Sequence, residues 1–202
     1  IIKIYFNLFL PLIFIYSLRR TERMKNNITL ITGGSRGIGR ATALTLAAKG
    51  HALCINYRSQ QARAEEVVDM IRRGGGKAIA VQADIANEEQ VVALFRQIDR
   101  DLGTLTGLVN NAGILKQQAS IEQLDARRIA AIFATNVGGS FICAREAVKR
   151  MALRHGGQGG AIVNVSSAAS RLGAPHEYID YAASKGAVDT LTIGLALEVA
   201  AQ

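Results

Sequence analysis

Tryptophan is absent from this chain of 202 residues, cysteine occurs twice and histidine three times. Cys54 lies in an apolar, strand-like run and Cys143 in a helical one, so both read as small core residues. Neither has the spacing of a redox pair or a metal site, and His51, His155 and His176 do not cluster. No metal is expected, and nothing implies an oxidising compartment. Aromatics make up only 5% of the residues and are not interleaved with a basic stripe. The formal charge of +8 is uneven: Lys3, Arg19, Arg20, Arg23 and Lys25, set against Glu22 alone, supply half of it. The rest is scattered, which argues against nucleic acid as a partner. Internal repeats and low-complexity linkers are also missing, and the length suits one well-buried domain rather than two.

The long hydrophobic run stands at the start. Residues 1–18, IIKIYFNLFLPLIFIYSL, are nearly all apolar, and the basic stretch RRTERMK follows. At ~1.5 Å per residue, a helix of that length could just cross a bilayer with its basic flank toward the cytoplasm. Lys3, Asn7 and Pro11 interrupt the run, and a secretory signal is disfavoured because no small-residue cleavage site follows. The chain begins with Ile, whereas Met24 stands just before the first core strand. Residues 1–23 are therefore expected to be upstream sequence or an unstructured appendage, and residues 24–202 one compact cytoplasmic domain. Membrane contact is expected only if residues 1–18 are native.

From residue 27 onward, short apolar runs alternate with helical stretches. Strands are expected at 27–32 (NITLIT), 52–56 (ALCIN), 78–82 (AIAVQ), 105–110 and 161–166 (AIVNVS). Helices are expected after the glycine turn to about residue 49, at 61–73, up to 101 behind an Asn87 cap, over 125–154, and from 179 to the end. Strands this apolar, each followed by a helix, imply an α/β fold: a doubly wound parallel sheet covered on both faces, three layers in the order αβα.

Two motifs carry the chemistry. TGGSRGIG, residues 32–39, lies between an expected strand and an expected helix, the context in which a glycine turn holds a dinucleotide pyrophosphate. Gly33, Gly37 and Gly39 would give the tight turn, the close backbone approach and the close helix packing. YAASK places Tyr181 and Lys185 four residues apart, on one helix face. A fixed cation beside a phenol favours the phenolate and fits it for proton transfer at neutral pH. Tyr178 is a rival phenol, but Ala182 stands four residues beyond it.

These motifs, with NNAG at 110–113 between them, resemble the classical short-chain dehydrogenase/reductase family over residues 27–202. Within it the likeness is to bacterial sugar-dehydrogenase-like and acyl-carrier-protein-reductase-like oxidoreductases. The resemblance implies a Rossmann fold and an NAD(P)-dependent enzyme that interconverts a secondary alcohol and a carbonyl compound by hydride transfer. It implies a catalytic group of Asn136, Ser167, Tyr181 and Lys185. Tyr181 would exchange the proton, Lys185 would act on the phenol and the nicotinamide ribose, and Ser167 would hold the substrate oxygen. Asn136 would hold a water that relays protons to the lysine. Ser166 and Ser170 compete with Ser167, because the family's usual spacing falls on Ala168; one extra residue within 176–180 restores Ser167. The cofactor would contact Gly33, Ser35, Arg36, Gly37, Ile38, Gly39, Tyr57, Arg58, Asp84, Asn110, Ala112 and Gly113, as well as Tyr181 and Lys185. Asp84 would lie near the adenine, or merely cap a helix, and Asn110 would tie adjacent strands.

Charge argues for the nucleotide. The end of the second strand reads Asn56-Tyr57-Arg58 with no acid to pair with a ribose 2′-hydroxyl, and Arg36 lies in the glycine turn. Two guanidinium groups suit a 2′-phosphate, so NADP(H) is expected ahead of NAD(H). The family continues past the tyrosine helix with a sixth and a seventh strand, and none follows Gln202. The fifth strand is accordingly expected to keep an unpaired edge, and the chain to be poorly active, an NADP-binding fragment of its full-length relative. Homo-oligomers through the long helices are implied for the family. The small-molecule substrate itself is not legible.

Overall fold

The computed structural model describes residues 27–201, and the backbone of Ile2–Tyr5; the expectations placed on the rest of residues 1–23 lie outside the described residues. Element order is β1 (Ile2–Tyr5), β2 (Ile28–Ile31), α1 (Gly37–Ala48), β3 (Ala52–Tyr57), α2 (Gln61–Arg73), β4 (Ala78–Gln82), α3 (Glu88–Asp101) and β5 (Gly107–Asn110). Then follow α4 (Ala126–Phe133), α5 (Gly139–Met151), β6 (Gly160–Asn164), a short α6 (Ala169–Leu172) and α7 (Ile179–Val199).

All strand pairs are parallel, in the order β1-β6-β5-β2-β3-β4. Because the strands are buried on both faces, neighbouring side chains along each one enter opposite cores. Leu30 and Cys54 join Phe95, Ile98 and Met151 beneath α3 and α5. Ile31, Leu53 and Ile55 join Val67, Val68 and Ile71 beneath α2. This is the expected αβα layering. The chain winds outward from β2 to β4, then crosses back to lay β5 beside β2. That reversal opens a crevice at the carboxyl ends of β2 and β5, where α/β sheets bind ligands.

Two expectations need correction. The outer edge of β6 is paired: Ile2–Tyr5 lies parallel to it, in register from Ile2 with Gly160 to Tyr5 with Val163. Four residues of β-prone IKIY supply the main-chain partners that an edge strand otherwise leaves open. The helix expected over 125–154 is not continuous. It divides at a single π-helical turn, Ala134–Gly138, between α4 and α5. Such turns insert one residue into a helix and occur at functional sites; this one contains Asn136.

The α3 cap lies where the sequence puts it, with the Asn87 side chain accepting from the Gln90 N–H at 2.9 Å. Among the described residues no helix is long and apolar enough to cross a membrane.

Candidate active site

The glycine turn leaves β2 and enters α1. Gly37 has φ +53°, a left-handed conformation that L side chains rarely adopt. Gly39 is limited by space instead: a methyl there would lie 2.6 Å from both Asn111 Nδ2 and the Gly33 carbonyl oxygen. Helix α1 has no side-chain cap and no acidic residue in its first turn, so its leading N–H groups are free for an anion. Gly39→Ala is expected to weaken dinucleotide binding ~10-fold or more while leaving the circular dichroism spectrum unchanged, because the turn must shift away from the phosphates.

Around the turn lies a cleft of about 360 Å³ lined by Ser35, Arg36, Ile38, Tyr57, Arg58, Asp84 and Gly113, among others. Polar side chains within and beside the motifs brace it. Asn56 accepts from the Gly33 N–H at 3.3 Å and donates to the Ala83 carbonyl at 3.0 Å, tying the turn to the ends of β3 and β4. Thr32 Oγ1 accepts from the N–H groups of Asn111 and Ala112, each at 3.0 Å. The amide that fastens adjacent strand backbone is Asn111, whose Nδ2 donates to the carbonyls of Thr32 at 2.9 Å and Gly33 at 3.1 Å. The motif alone points to Asn110 for that part. Asn110 donates instead to the Asn164 side chain at 2.9 Å and the Ser140 carbonyl at 3.2 Å. Period-2 alternation explains the exchange, since successive side chains leave the strand on opposite faces.

Of the residues that line the cleft, Arg36 and Arg58 are both exposed. Arg58 lies 3.9 Å from Asp84, a loose pair between an exposed guanidinium and a half-buried carboxylate. Asp84 Oδ1 accepts from the Ala86 N–H at 3.0 Å, so it caps its own turn as well as lining the cleft.

The other half of the site is built on α7 and the end of β6. Tyr181 and Lys185 share one face of α7, with the ammonium 5.7 Å from the centre of the phenol ring. Lys185 is 5% exposed and donates to the Val165 carbonyl at 2.7 Å. Burial pushes its ammonium below the ordinary lysine value, and Asp189 one turn further along opposes the shift. Ser167 Oγ accepts from the Ala169 N–H at 3.2 Å, which leaves its own proton to donate elsewhere. Ser166 Oγ is buried and without a partner among the described residues, and Ser170 Oγ is spent on the Ser167 carbonyl at 2.9 Å. Of the three serines, Ser170 is committed to a carbonyl, Ser166 is enclosed, and Ser167 accepts one bond while keeping its proton to donate. Ala174 and His176, non-glycine residues just before α7, have φ of +47° and +62°, and of these only His176 falls within 176–180, where the extra residue is expected.

Asn136 joins the halves. Its Oδ1 accepts from the Ile114 N–H at 2.7 Å, and its Nδ2 donates to the Ile114 carbonyl at 3.1 Å and to Ser184 Oγ at 3.0 Å. Ser184 in turn donates to the Tyr181 carbonyl at 2.7 Å. Asn136 therefore fastens the loop after β5 to the helix that bears the phenol. Ser184 stands inside YAASK, but the motif's spacing of phenol and amine gives no sign of its part.

A doubly wound sheet with a bare helix N-terminus behind a glycine turn, and a phenol–ammonium pair on one face of α7, defines a Rossmann-type nucleotide-binding enzyme fold. The short chain dehydrogenase family matches residues 27–202. The chain belongs to that family and is an oxidoreductase acting on CH–OH groups. It is 62% identical over 175 residues to "Uncharacterized oxidoreductase YgfF" of Escherichia coli (strain K12), a match covering 87% of this chain and 71% of that one. It is 36% identical over 173 residues to "3-oxoacyl-[acyl-carrier-protein] reductase FabG" of Staphylococcus aureus, covering 86% of this chain and 68% of the relative. A solved double mutant of a Serratia marcescens short-chain dehydrogenase/reductase superposes with a TM-score of 0.80 at 32% identity, covering 86% of this chain and 69% of that one.

Proposed function

We propose that the protein is an NADP(H)-dependent reductase that interconverts a small secondary alcohol and its ketone or aldehyde, with Tyr181 as the acid/base. The observation that carries this reading is the placement of Tyr181 and buried Lys185 on one face of α7, with Lys185 held at the mouth of β6 by the Val165 carbonyl. When bound, the nicotinamide supplies or accepts the hydride. The residues of the chain handle the proton and the geometry. Tyr181 Oη gives its proton to the substrate oxygen in reduction and takes it back in oxidation. Ser167 Oγ donates to that same oxygen and stabilises the charge it gains. Lys185 supplies the positive field beside the phenol. Gly33, Gly37, Gly39 and the start of α1 would hold the pyrophosphate, and Tyr57, Asp84 and Ala112 would flank the adenosine.

Arg36 and Arg58, with no acid at Asn56 to repel a 2′-phosphate, support NADP(H) over NAD(H). Wild-type protein is expected to bind NADPH ~10-fold or more tightly than NADH, and Arg36→Ala/Arg58→Ala to lose that preference through NADPH alone. Fluorescence titration measures both. Steady-state assays of NADPH oxidation against aldehydes, ketones and sugars test the reaction. Binding without oxidation of any of them would leave the narrower reading, a nucleotide-binding unit. Exposed Phe141 on α5 and Ile193 and Leu197 on α7, at 50%, 56% and 81%, support association of copies through these helices. The need for a nicotinamide cofactor fits a cytoplasmic enzyme.

A further inference from the structure

The N-terminal turn of α7 lacks an ordinary cap: Tyr178, at the capping position, makes no side-chain bond to it. The turn is held instead by a buried ion pair that crosses from α4. Arg128 Nε donates to Asp180 Oδ2 at 2.6 Å, and Asp180 Oδ1 accepts from the N–H of Tyr181 at 2.9 Å. The Asp180 side chain is 1% exposed and that of Arg128 17%. Burial alone would push the Asp180 carboxyl up, but the Arg128 and Tyr181 bonds outweigh it and keep the group below the usual carboxylate range, so it stays ionised. An anion at this helix end is also favoured by the exposed N–H groups.

The two partners bracket the candidate machinery. Arg128 stands two turns before Asn136, and Asp180 immediately precedes Tyr181. With the Asn136–Ser184 bond, the pair forms the second of two fastenings between the α4 segment and α7. As a stabilising contact it is poorly made. The guanidinium engages through one nitrogen, and its buried Nη2 has no partner among the described residues. A bidentate pair would gain more, and an unsatisfied buried donor costs stability. What the arrangement does achieve is a fixed position for the residue next to the phenol.

We infer that Arg128 and Asp180 are positioning residues, which set the first turn of α7 so that Tyr181 meets the substrate oxygen. The inference rests on the reading of Tyr181 as the proton donor. A misplacement of about an ångström at such a group can cost ~100-fold in rate.

The test uses the full chain with three variants: Arg128→Met, Arg128→Lys and the neutral double variant Arg128→Met/Asp180→Asn. The double variant avoids leaving one buried charge alone, so it folds where a single change fails. Amide hydrogen exchange read by mass spectrometry should show faster exchange confined to the start of α7 in Arg128→Met and the double variant. Protection in β2, β3 and α1 should be unaltered, and Arg128→Lys should recover part of the loss. With NADPH and 2,3-butanedione as probes, kcat should fall ~30-fold in the double variant and the KM for NADPH should stay within about twofold. Unchanged exchange at the start of α7, exchange raised throughout the domain, or full turnover in the double variant would each overturn the inference. If wild-type protein turns over no carbonyl compound, the proposed reaction fails while exchange at α7 still decides the role of the pair.

Discussion

Lys185→Met is expected to remove turnover without loosening the fold. A positioned acid/base typically contributes ~100- to 10,000-fold in rate, so a fall in kcat of ~1,000-fold or more follows if the ammonium tunes the Tyr181 proton. Tyr181→Phe should match it, and combining the two changes should cost little more, because groups that act as a unit are not additive. The melting temperature of Lys185→Met should be no lower than that of wild type. Lys185 sits at 5% exposure, where burial lowers the affinity of the amine for its proton. Its charged form therefore costs folding free energy in full below the lowered folded-state value, and that cost fades as pH rises from there to the ordinary lysine value of ~10.4, above which it is gone. Methionine keeps the apolar stem and discards the charge. A lysine retained for structure alone would behave in the opposite way: Lys185→Met would melt earlier and keep its rate. Scanning calorimetry from pH 7 to 10 and a single-turnover assay separate the two cases.

Glu146→Gln is expected to produce the largest loss of stability. Its side chain is 5% exposed and accepts from Lys149 at 2.9 Å, from Arg150 at 3.0 Å and from Arg145 at 3.0 Å. Arg150 continues to Asp99 at 2.8 Å and Arg145 to Glu88 at 2.7 Å, so this one carboxylate anchors the cations that bind α5 to α3. Burial pushes the carboxyl up, but the three donors outweigh it and hold it below the ordinary range. Breaking a buried pair costs ~3–5 kcal/mol. Two of these cations are about half exposed, which screens them and lowers the expectation to ~2–3 kcal/mol. For a domain of this size the melting temperature should drop by about 5–10 °C. The sign with pH is fixed. Because the folded-state value is depressed, the contribution is complete above the ordinary glutamate pKa of ~4.3 and disappears as pH falls through the lower, folded-state value. Urea melts should therefore show a gap between wild type and Glu146→Gln near neutrality that closes in acid. A gap that persists at low pH would mean that packing, not charge, explains the loss.

The strands and the glycine turn were legible because their signals are local: apolar runs of strand length, a turn that only glycine tolerates, an asparagine cap. The pairing of Tyr181 with Lys185 was legible for the same reason, since both lie on one helix. Three features were hidden by their physics. The π turn around Asn136 leaves the apolar periodicity of its helix almost unchanged, so 125–154 reads as one rod. The Arg128–Asp180 contact joins residues 52 apart, and each alone looks like a solvated charge. The strand Ile2–Tyr5 belongs to a run whose overall hydrophobicity suggests a membrane, and its pairing with Gly160–Asn164 depends on an open sheet edge far along the chain. Asn110 and Asn111 differ only in which way the pleat turns them, which a motif does not say.

Gly113 belongs to the wall of the nucleotide cleft, yet a methyl group placed there would rest 3.3 Å from Asn136 Oδ1 and 3.7 Å from Lys185 Nζ. Between the cleft and the amide and amine behind it there is thus room for no side chain larger than a hydrogen without contact. Because Asn136 is pinned by both polar atoms of Ile114, it has little room to retreat. Alanine at position 113 would therefore press on the Asn136 amide oxygen while only touching the Lys185 amine, so its effect would be felt at the fastening of the loop after β5 rather than at the adenosine end.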